Sequence, residues 1–199
     1  SNDTYASISE LSDYLNYLSK DSIRIIFDRY NEKLKESKFG KIIKTHLESN
    51  NMEKGDSFFD FEGLEPSGNQ IRLSDVMEKN KFLLINYTSA YCGHCINATE
   101  ELKDIHETYK NSLNVVSFSA DPQKQNWLYS VDRDGNLWPS LWDGKGRYSE
   151  SAIRYNFSAT PTFLLIDKDG KIVDRWVGYS EGKLIKGIEE YLGLEIYNP

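Results

Sequence analysis

The chain has 199 residues, of which 39% are hydrophobic and 13% aromatic, enough for one fully cored domain with an extra segment and a tight fit for two complete domains. Its 24 basic residues stand against 31 acidic ones, a net charge of -7, and no lysine or arginine run is present to track a phosphate backbone, which argues against nucleic acid as a partner. No stretch approaches the roughly 18 consecutive apolar residues of a membrane span and no basic amphipathic stretch is present, so no membrane contact is expected within these residues, the alternative being a removed signal or lipid anchor.

Ser1-Asn2-Asp3 lacks both an initiator methionine and the basic-then-apolar layout of a signal peptide, and the chain reads as a trimmed form. Residues 3 to about 50 are predicted to be helical. Leu11, Tyr14, Leu15 and Leu18 recur at helical spacing, Ile23, Ile26, Phe27, Tyr30 and Leu34 repeat the pattern after a break near Lys20-Asp21-Ser22, and a shorter helix runs through Ile42, Ile43, His46 and Leu47. Nothing in these helices is chemically poised, so residues 1–52 are expected to be a helical extension of the domain formed by 53–199.

Phe58, Phe59 and Phe61 read as a short aromatic strand, and Pro66-Ser67-Gly68-Asn69 as the turn of a hairpin that returns through Ile71 and Leu73. Ser74 is expected to cap a short helix through Met77. The continuous apolar run Phe82-Leu83-Leu84-Ile85-Asn86-Tyr87 is what a central strand buried on both faces requires. A helix from about Cys95 to Tyr109 and a second buried strand, Leu113 to Phe118, complete a strand-helix-strand crossover. Residues 121–160 are less regular, with helices expected around Gln123 to Tyr129 and Ser149 to Tyr155. Thr162 to Asp167 and Lys171 to Val177 flank Asp169-Gly170, a strong hairpin signal, and a helix from Glu181 to Leu192 follows.

The two cysteines, Cys92 and Cys95, are two residues apart, a spacing that chance produces about 1% of the time at this length. They sit where a buried strand ends and a helix begins. Unpaired N–H groups and the macrodipole at a helix N-terminus favour negative charge, so Cys92 is the better thiolate nucleophile. His94 adds a positive charge or a hydrogen bond to that thiolate, which makes the disulfide more oxidising than an apolar residue would. Cys95, one turn further on, is placed to resolve a mixed disulfide. A zinc site would need about four ligands, and His46 and His106 are remote in sequence, so no metal or other cofactor is expected. A purely structural disulfide over so short a ring would stabilise little by loop entropy.

A buried strand, an aromatic residue, the Cys-Gly-His-Cys helix start and the later Ala159-Thr160-Pro161-Thr162 together resemble the thioredoxin fold. Within it the chain resembles the TlpA/ResA-like branch of thiol-disulfide oxidoreductases, related to the AhpC/TSA proteins and of a Bacteroidetes type. The stretches Phe58 to Leu73, Asp121 to Tyr155 with Trp127 and Trp138-Pro139, and Leu165 to Ile172 carry that resemblance over roughly residues 53 to 194. It implies an α/β, three-layer thioredoxin-like fold: a central mixed sheet flanked by helices, with an N-terminal hairpin, a central insertion and the N-terminal helical extension. Similar proteins often carry a further N-terminal domain, and this chain is then the C-terminal part of such a protein.

The same resemblance implies that Thr160-Pro161 is a cis bond facing the cysteines, and that Thr160 offers backbone hydrogen bonds to an extended substrate segment. The candidate catalytic residues are thus Cys92, Cys95, His94 and Pro161, with Tyr91, Gly93 and Thr160 as substrate-binding residues and Asn86 in support. Asn86 stands where thioredoxins keep a buried aspartate, and Ala98 and Glu100 stand where the branch often has glutamate and proline, so proton handling falls to water or His94. The expected activity is disulfide exchange with protein substrates, fed by an upstream thiol-disulfide partner, in the periplasm or cell envelope. The competing readings are a thiol peroxidase, for which Thr88 and Ser89 precede Cys92 without the proline of the peroxiredoxin pattern, and a non-catalytic binding module. The latter would present Tyr91, Trp127, Trp138 and Trp142 on its surface, where the alternative for the tryptophans is ordinary core.

Overall fold

The computed structural model describes residues 4–15 and 17–196, with the side chains of 194–196 outside the description. The first residue of the expected N-terminal helical region, Asp3, and Asn16 within it lie outside the described residues, as do Ser1 and Asn2.

In chain order the elements are α1 (Tyr5–Asp13), α2 (Lys20–Phe27), α3 (Glu32–Lys35), α4 (Lys38–Glu48), β1 (Glu62–Leu64), β2 (Gln70–Arg72), α5 (Leu73–Val76), β3 (Phe82–Thr88) and α6 (Gly93–Tyr109). There follow β4 (Leu113–Ser119), α7 (Lys124–Asp134), β5 (Ser140–Leu141), α8 (Glu150–Arg154), β6 (Thr162–Ile166), β7 (Ile172–Val177) and α9 (Lys183–Ile196). They form two compact units: residues 1–52 with 147–158, and residues 53–146 with 159–199.

The first unit is helical because its polar punctuation is written as caps. The side chains of Thr4, Ser19, Asn31, Ser37 and Ser149 each accept the backbone N–H three residues on, at the starts of α1, α2, α3, α4 and α8, satisfying donors that a helix start otherwise leaves open. Asn31 and Ser37 thereby divide a stretch whose apolar spacing alone predicts fewer breaks. Ile8, Leu11, Leu15, Ile23, Phe27, Ile42, Ile43 and Leu47 make the core, with Tyr148 and Ile153 packed against it. The N–H of Met52 donates to the carbonyl of Arg154 at 2.8 Å.

The second unit is built on a five-stranded mixed sheet in the order β5-β4-β3-β6-β7. β3 runs parallel to β4 and antiparallel to β6, with Leu84 opposite Val115 on one side and Leu165 on the other. Side chains alternate across a strand, so Phe82 and Leu84 face one layer and Leu83 and Ile85 the other. The first face carries α6 through Ala98, Leu102 and Ile105, and α9 through Leu184, Ile188 and Leu192. Every one of these is buried; truncating Leu84, which has no exposed surface, to alanine would cost about 2–5 kcal/mol. On the other face Phe118 packs with Phe61 and Tyr87, ring centroids 4.7 and 5.7 Å away. Helices thus flank a mixed sheet, as the resemblance implies.

Three local expectations are corrected. The first hairpin strand is Glu62–Leu64 rather than the aromatic stretch before it, where Phe58 instead donates its N–H to Gly170 O at 2.8 Å. Ser74 lies inside α5, whose cap is Arg72, and its hydroxyl donates to Asp60 at 2.9 Å. β5 arises in a stretch read as loop, because Ser140 and Leu141 pair with Ser117 and Phe118. The hairpin between β6 and β7 forms as predicted: Gly170 has φ 76°, and Asp167 accepts the N–H groups of Asp169 and Lys171 at 2.9 and 2.8 Å. Among the described residues no helix is long and apolar enough to cross a membrane.

Candidate active site

β3 carries the chain outward from the core, and four residues after its end Cys92 caps α6. Cys92 has the extended backbone of an N-cap, φ -84° and ψ 109°, and its sulfur accepts the N–H of Cys95 at 3.2 Å. The 17-residue helix behind it adds its positive N-terminal end. Cys92 and Cys95 are joined as a disulfide, their Cα atoms 5.2 Å apart. Cys92 is half-buried, whereas Cys95 is 5% exposed.

The loop before β6 lies across from the pair. Thr160-Pro161 is cis, and the carbonyl oxygen of Thr160 is 3.4 Å from Cys92 Sγ. A disulfide sulfur carries no proton, so this is a contact in the oxidised protein and becomes an S–H donor bond when Cys92 is a thiol. The N–H of Gly178 donates to Pro161 O at 2.8 Å, joining the proline segment to a groove of about 160 Å³ lined by Phe163, Trp176, Val177, Gly178, Tyr179 and Leu184. Tyr179 is pushed up to about 12 by burial, then by its hydrogen bond to Glu101, so it stays protonated. Glu101 also accepts the N–H groups of Gly182 and Ile185, both at 3.0 Å.

The sequence-predicted residues divide by position. Tyr91 is 71% exposed beside Cys92, His94 is exposed on the first turn of α6, and a Cβ added at Gly93 would meet open space. Asn86 is 7% exposed on the α6-facing side of β3, and its amide donates to Ser117 Oγ at 3.2 Å rather than to a cysteine. Ser117 Oγ also takes the indole N–H of Trp138 at 2.9 Å. Trp127 and Trp138, 0% and 6% exposed, are core. Trp142 is half-buried and stacks on Trp127 at 5.4 Å.

Sequence reasoning missed three neighbours of the loop Ser89–Tyr91. Asp121, just past the end of β4, accepts the N–H of Ala90 at 2.9 Å and the hydroxyl of Ser89 at 3.1 Å. Arg133 on α7 donates to the carbonyl of Ala90, and Asp134 holds its guanidinium above the ordinary arginine value, chiefly by hydrogen bonding. Tyr129, also on α7, stacks on Tyr91 with ring centroids 5.9 Å apart. The available signal was positional: the carboxyl ends of parallel strands are where open α/β sheets place their sites, and Asp121 follows one directly.

Among the described residues no group of three or more His, Cys, Asp or Glu side chains is placed to hold a metal ion. The arrangement supplies instead one half-buried sulfur at a helix start, one shielded sulfur a turn behind it, and the cis Thr160-Pro161 segment opposite.

Comparison with known proteins agrees with this geometry. The Redoxin family model matches residues 53–192. The thiol-disulfide oxidoreductase ResA of Bacillus thuringiensis is 27% identical over 121 residues, 60% of this chain and 67% of that protein. Among solved structures, the C-terminal domain of a protein assigned as a thiol-disulfide oxidoreductase from Bacteroides thetaiotaomicron superposes with a TM-score of 0.63 at 28% identity, covering 71% of this chain and 97% of that one. A thiol-disulfide oxidoreductase from Bacteroides fragilis gives 0.61 at 26% identity, over 69% of this chain and 99% of the other. With its cysteine pair on a thioredoxin-fold helix start, the chain belongs to the Redoxin family and is a TlpA/ResA-like oxidoreductase.

Proposed function

We propose that this protein exchanges disulfides with protein substrates through Cys92 and Cys95. The observation that carries the reading is the asymmetry of the pair: the half-buried Cys92 sulfur takes the Cys95 N–H at 3.2 Å, while Cys95 is 5% exposed. A thiolate on Cys92 is stabilised by that donor and by the helix dipole and is reachable; a thiolate on Cys95 meets its target only within the protein.

In the reducing direction, the Cys92 thiolate attacks one sulfur of a substrate disulfide. A Cys92-to-substrate bond forms, the substrate S–S bond breaks, and the distal sulfur leaves as a thiolate. Cys95 gives its proton to solvent and attacks Cys92 Sγ, forming the internal disulfide and releasing the second substrate thiolate. Two electrons pass to the substrate, and the reverse sequence oxidises a substrate dithiol. An upstream thiol-disulfide partner restores the starting state.

Tyr91, Gly93 and Thr160 present the surface on which a substrate segment lies, with Thr160 offering its backbone and Pro161 shaping the loop opposite Cys92. His94, exposed on the first turn of α6, is the catalytic side chain between the two cysteines in sequence. Asn86 supports the site through Ser117. We assign this chemistry to the domain from residue 53 onward, apart from residues 147–158, which join the helices of 1–52 in a unit of their own, and place it in the periplasm or cell envelope, following the TlpA/ResA-like resemblance.

The test is a Cys95→Ser variant, which can form the mixed disulfide and cannot resolve it. Covalent adducts that run as reducible higher bands on non-reducing gels, and disappear in Cys92→Ser/Cys95→Ser, are the expected result. A Cys95→Ser protein that captures no cysteine-containing partner in envelope extracts overturns the reading.

A further inference from the structure

The three residues ahead of Cys92 are held by the protein at one residue, Ala90, through both its N–H and its carbonyl. The N–H of Ala90 donates to Asp121 Oδ2 at 2.9 Å, and its carbonyl accepts from the Arg133 guanidinium. Asp121 is 6% exposed and also takes the hydroxyls of Ser89 and Ser119, each at 3.1 Å. Burying a carboxylate is costly unless it is fully hydrogen-bonded, and here two of its three donors belong to the loop that leads to the redox cysteine. Its own backbone is fixed too, since the carbonyl of Asp121 accepts the indole N–H of Trp142 at 2.6 Å. Arg133 is anchored by a bidentate pair with Asp134 at 2.6 and 2.8 Å, and its guanidinium lies 5.6 Å over the Tyr129 ring on which Tyr91 stacks.

We infer that Asp121 and Arg133 are positioning residues for the redox reaction: they clamp the Ala90 peptide so that Cys92 Sγ stays on the Cys95 N–H and faces Thr160. The inference rests on the disulfide-exchange reading and deepens it. Among the described residues the polar partners of Cys92 Sγ are the Cys95 N–H and the Thr160 carbonyl, so both side chains act through Ala90. The Ser89–Tyr91 loop has no regular strand or helix pairing of its own, so without the clamp its end at Cys92 is free to leave the helix axis. A thiolate that leaves that axis loses both the N–H donor and the dipole.

The test uses the reduced protein and its Asp121→Ala, Asp121→Asn and Arg133→Met variants. Two readouts are followed, the pH profile of Cys92 alkylation by iodoacetamide and amide hydrogen exchange of the peptide spanning 89–92. Asp121→Asn keeps an oxygen for the Ala90 N–H and can donate to the serine oxygens, so it is expected to stay within about twofold of wild type. Asp121→Ala and Arg133→Met are expected to slow alkylation at neutral pH by about tenfold, to move its midpoint to higher pH and to lose amide protection at Ala90. Should Asp121→Ala not fold, Arg133→Met decides the matter alone, because it removes the donor to the carbonyl of the same residue.

Unchanged profiles in Arg133→Met overturn the clamp. So does a shifted profile with unchanged amide exchange, which would make Arg133 a distant charge, or an Asp121→Asn variant as impaired as Asp121→Ala, which would make Asp121 one as well. Reduction of a disulfide-bonded protein such as insulin by the wild-type protein is measured in parallel. Its absence counts against the exchange reading and leaves the alkylation and exchange results to decide the clamp.

Discussion

The backbone N–H of Cys95 points at the sulfur of Cys92 across 3.2 Å, so the residue that begins α6 is also the one whose sulfur is exposed to reaction. Capping and chemistry therefore draw on the same atom. Cys92→Ser keeps an acceptor at that position and Cys92→Ala does not, while both lose the disulfide equally. Urea unfolding is expected to find the alanine variant less stable than the serine variant by about 1 kcal/mol. Equal midpoints would mean the sulfur contributes nothing as a cap.

The difference in burial between the two cysteines sets an order of reaction. In the reduced protein, iodoacetamide is expected to modify Cys92 at least about tenfold faster than Cys95, which mass spectrometry of tryptic peptides at short times would show. Preferential labelling of Cys95 would reverse the assigned roles.

Asn86 sits 7% exposed with Ser117 as its hydrogen-bond donor target, and its Oδ1 has no hydrogen-bond partner among the described residues. Asn86→Asp would place a carboxyl there without a cation, and burial raises its pKa above the unfolded value. The stability is then retained below about pH 3.9, where the unfolded carboxyl is protonated too, and lost as pH rises toward the folded value. The urea-midpoint gap to wild type should widen between pH 4 and 7, by an amount equivalent to about 2 kcal/mol. A constant gap would mean that the site solvates the charge.

His46 in the helical unit is 8% exposed, and its pKa is lowered below the ordinary 6.5 by burial first and by Lys20 second. Below 6.5 the unfolded chain takes a proton that the folded one resists, so stability falls as pH drops through that value and levels off below the folded pKa. His46→Asn removes this dependence. Denaturation series at pH 7.5, 6.5 and 5.5 should show wild type losing stability relative to the variant, and parallel curves would place His46 in contact with solvent.

What could be read from the residues follows the range of the forces involved. β3 is visible because Phe82 to Tyr87 must be buried on both faces, and α6 because a strand end, a cysteine pair and a helical period coincide. Periodicity is weaker where short polar caps divide a helical run: Asn31 and Ser37 each accept one backbone N–H, a single bond against a whole pattern of apolar spacing. β5, with two residues, offers no period at all and exists because Ser117 and Phe118 give it partners. Asp121 and Arg133 reach Ala90 from 31 and 43 residues away, and such a meeting is decided by topology. Tyr91 was placed correctly at the surface beside Cys92, whereas the tyrosine beneath it, Tyr129, has an ordinary helical context that carries no mark of its neighbour.

Residues 147–158 share a core with the helices of 1–52, and this bears on how the molecule comes into being. During synthesis from the N-terminus, α1 to α4 emerge well before Tyr148 and Ile153, which pack against their core. Roughly a hundred residues separate the two parts, so the first unit has to wait, incompletely covered, while most of the sheet is still being made. Helices made before the sheet are thus finished only after most of it, and their hydrophobic faces are the ones a chaperone would meet on the ribosome.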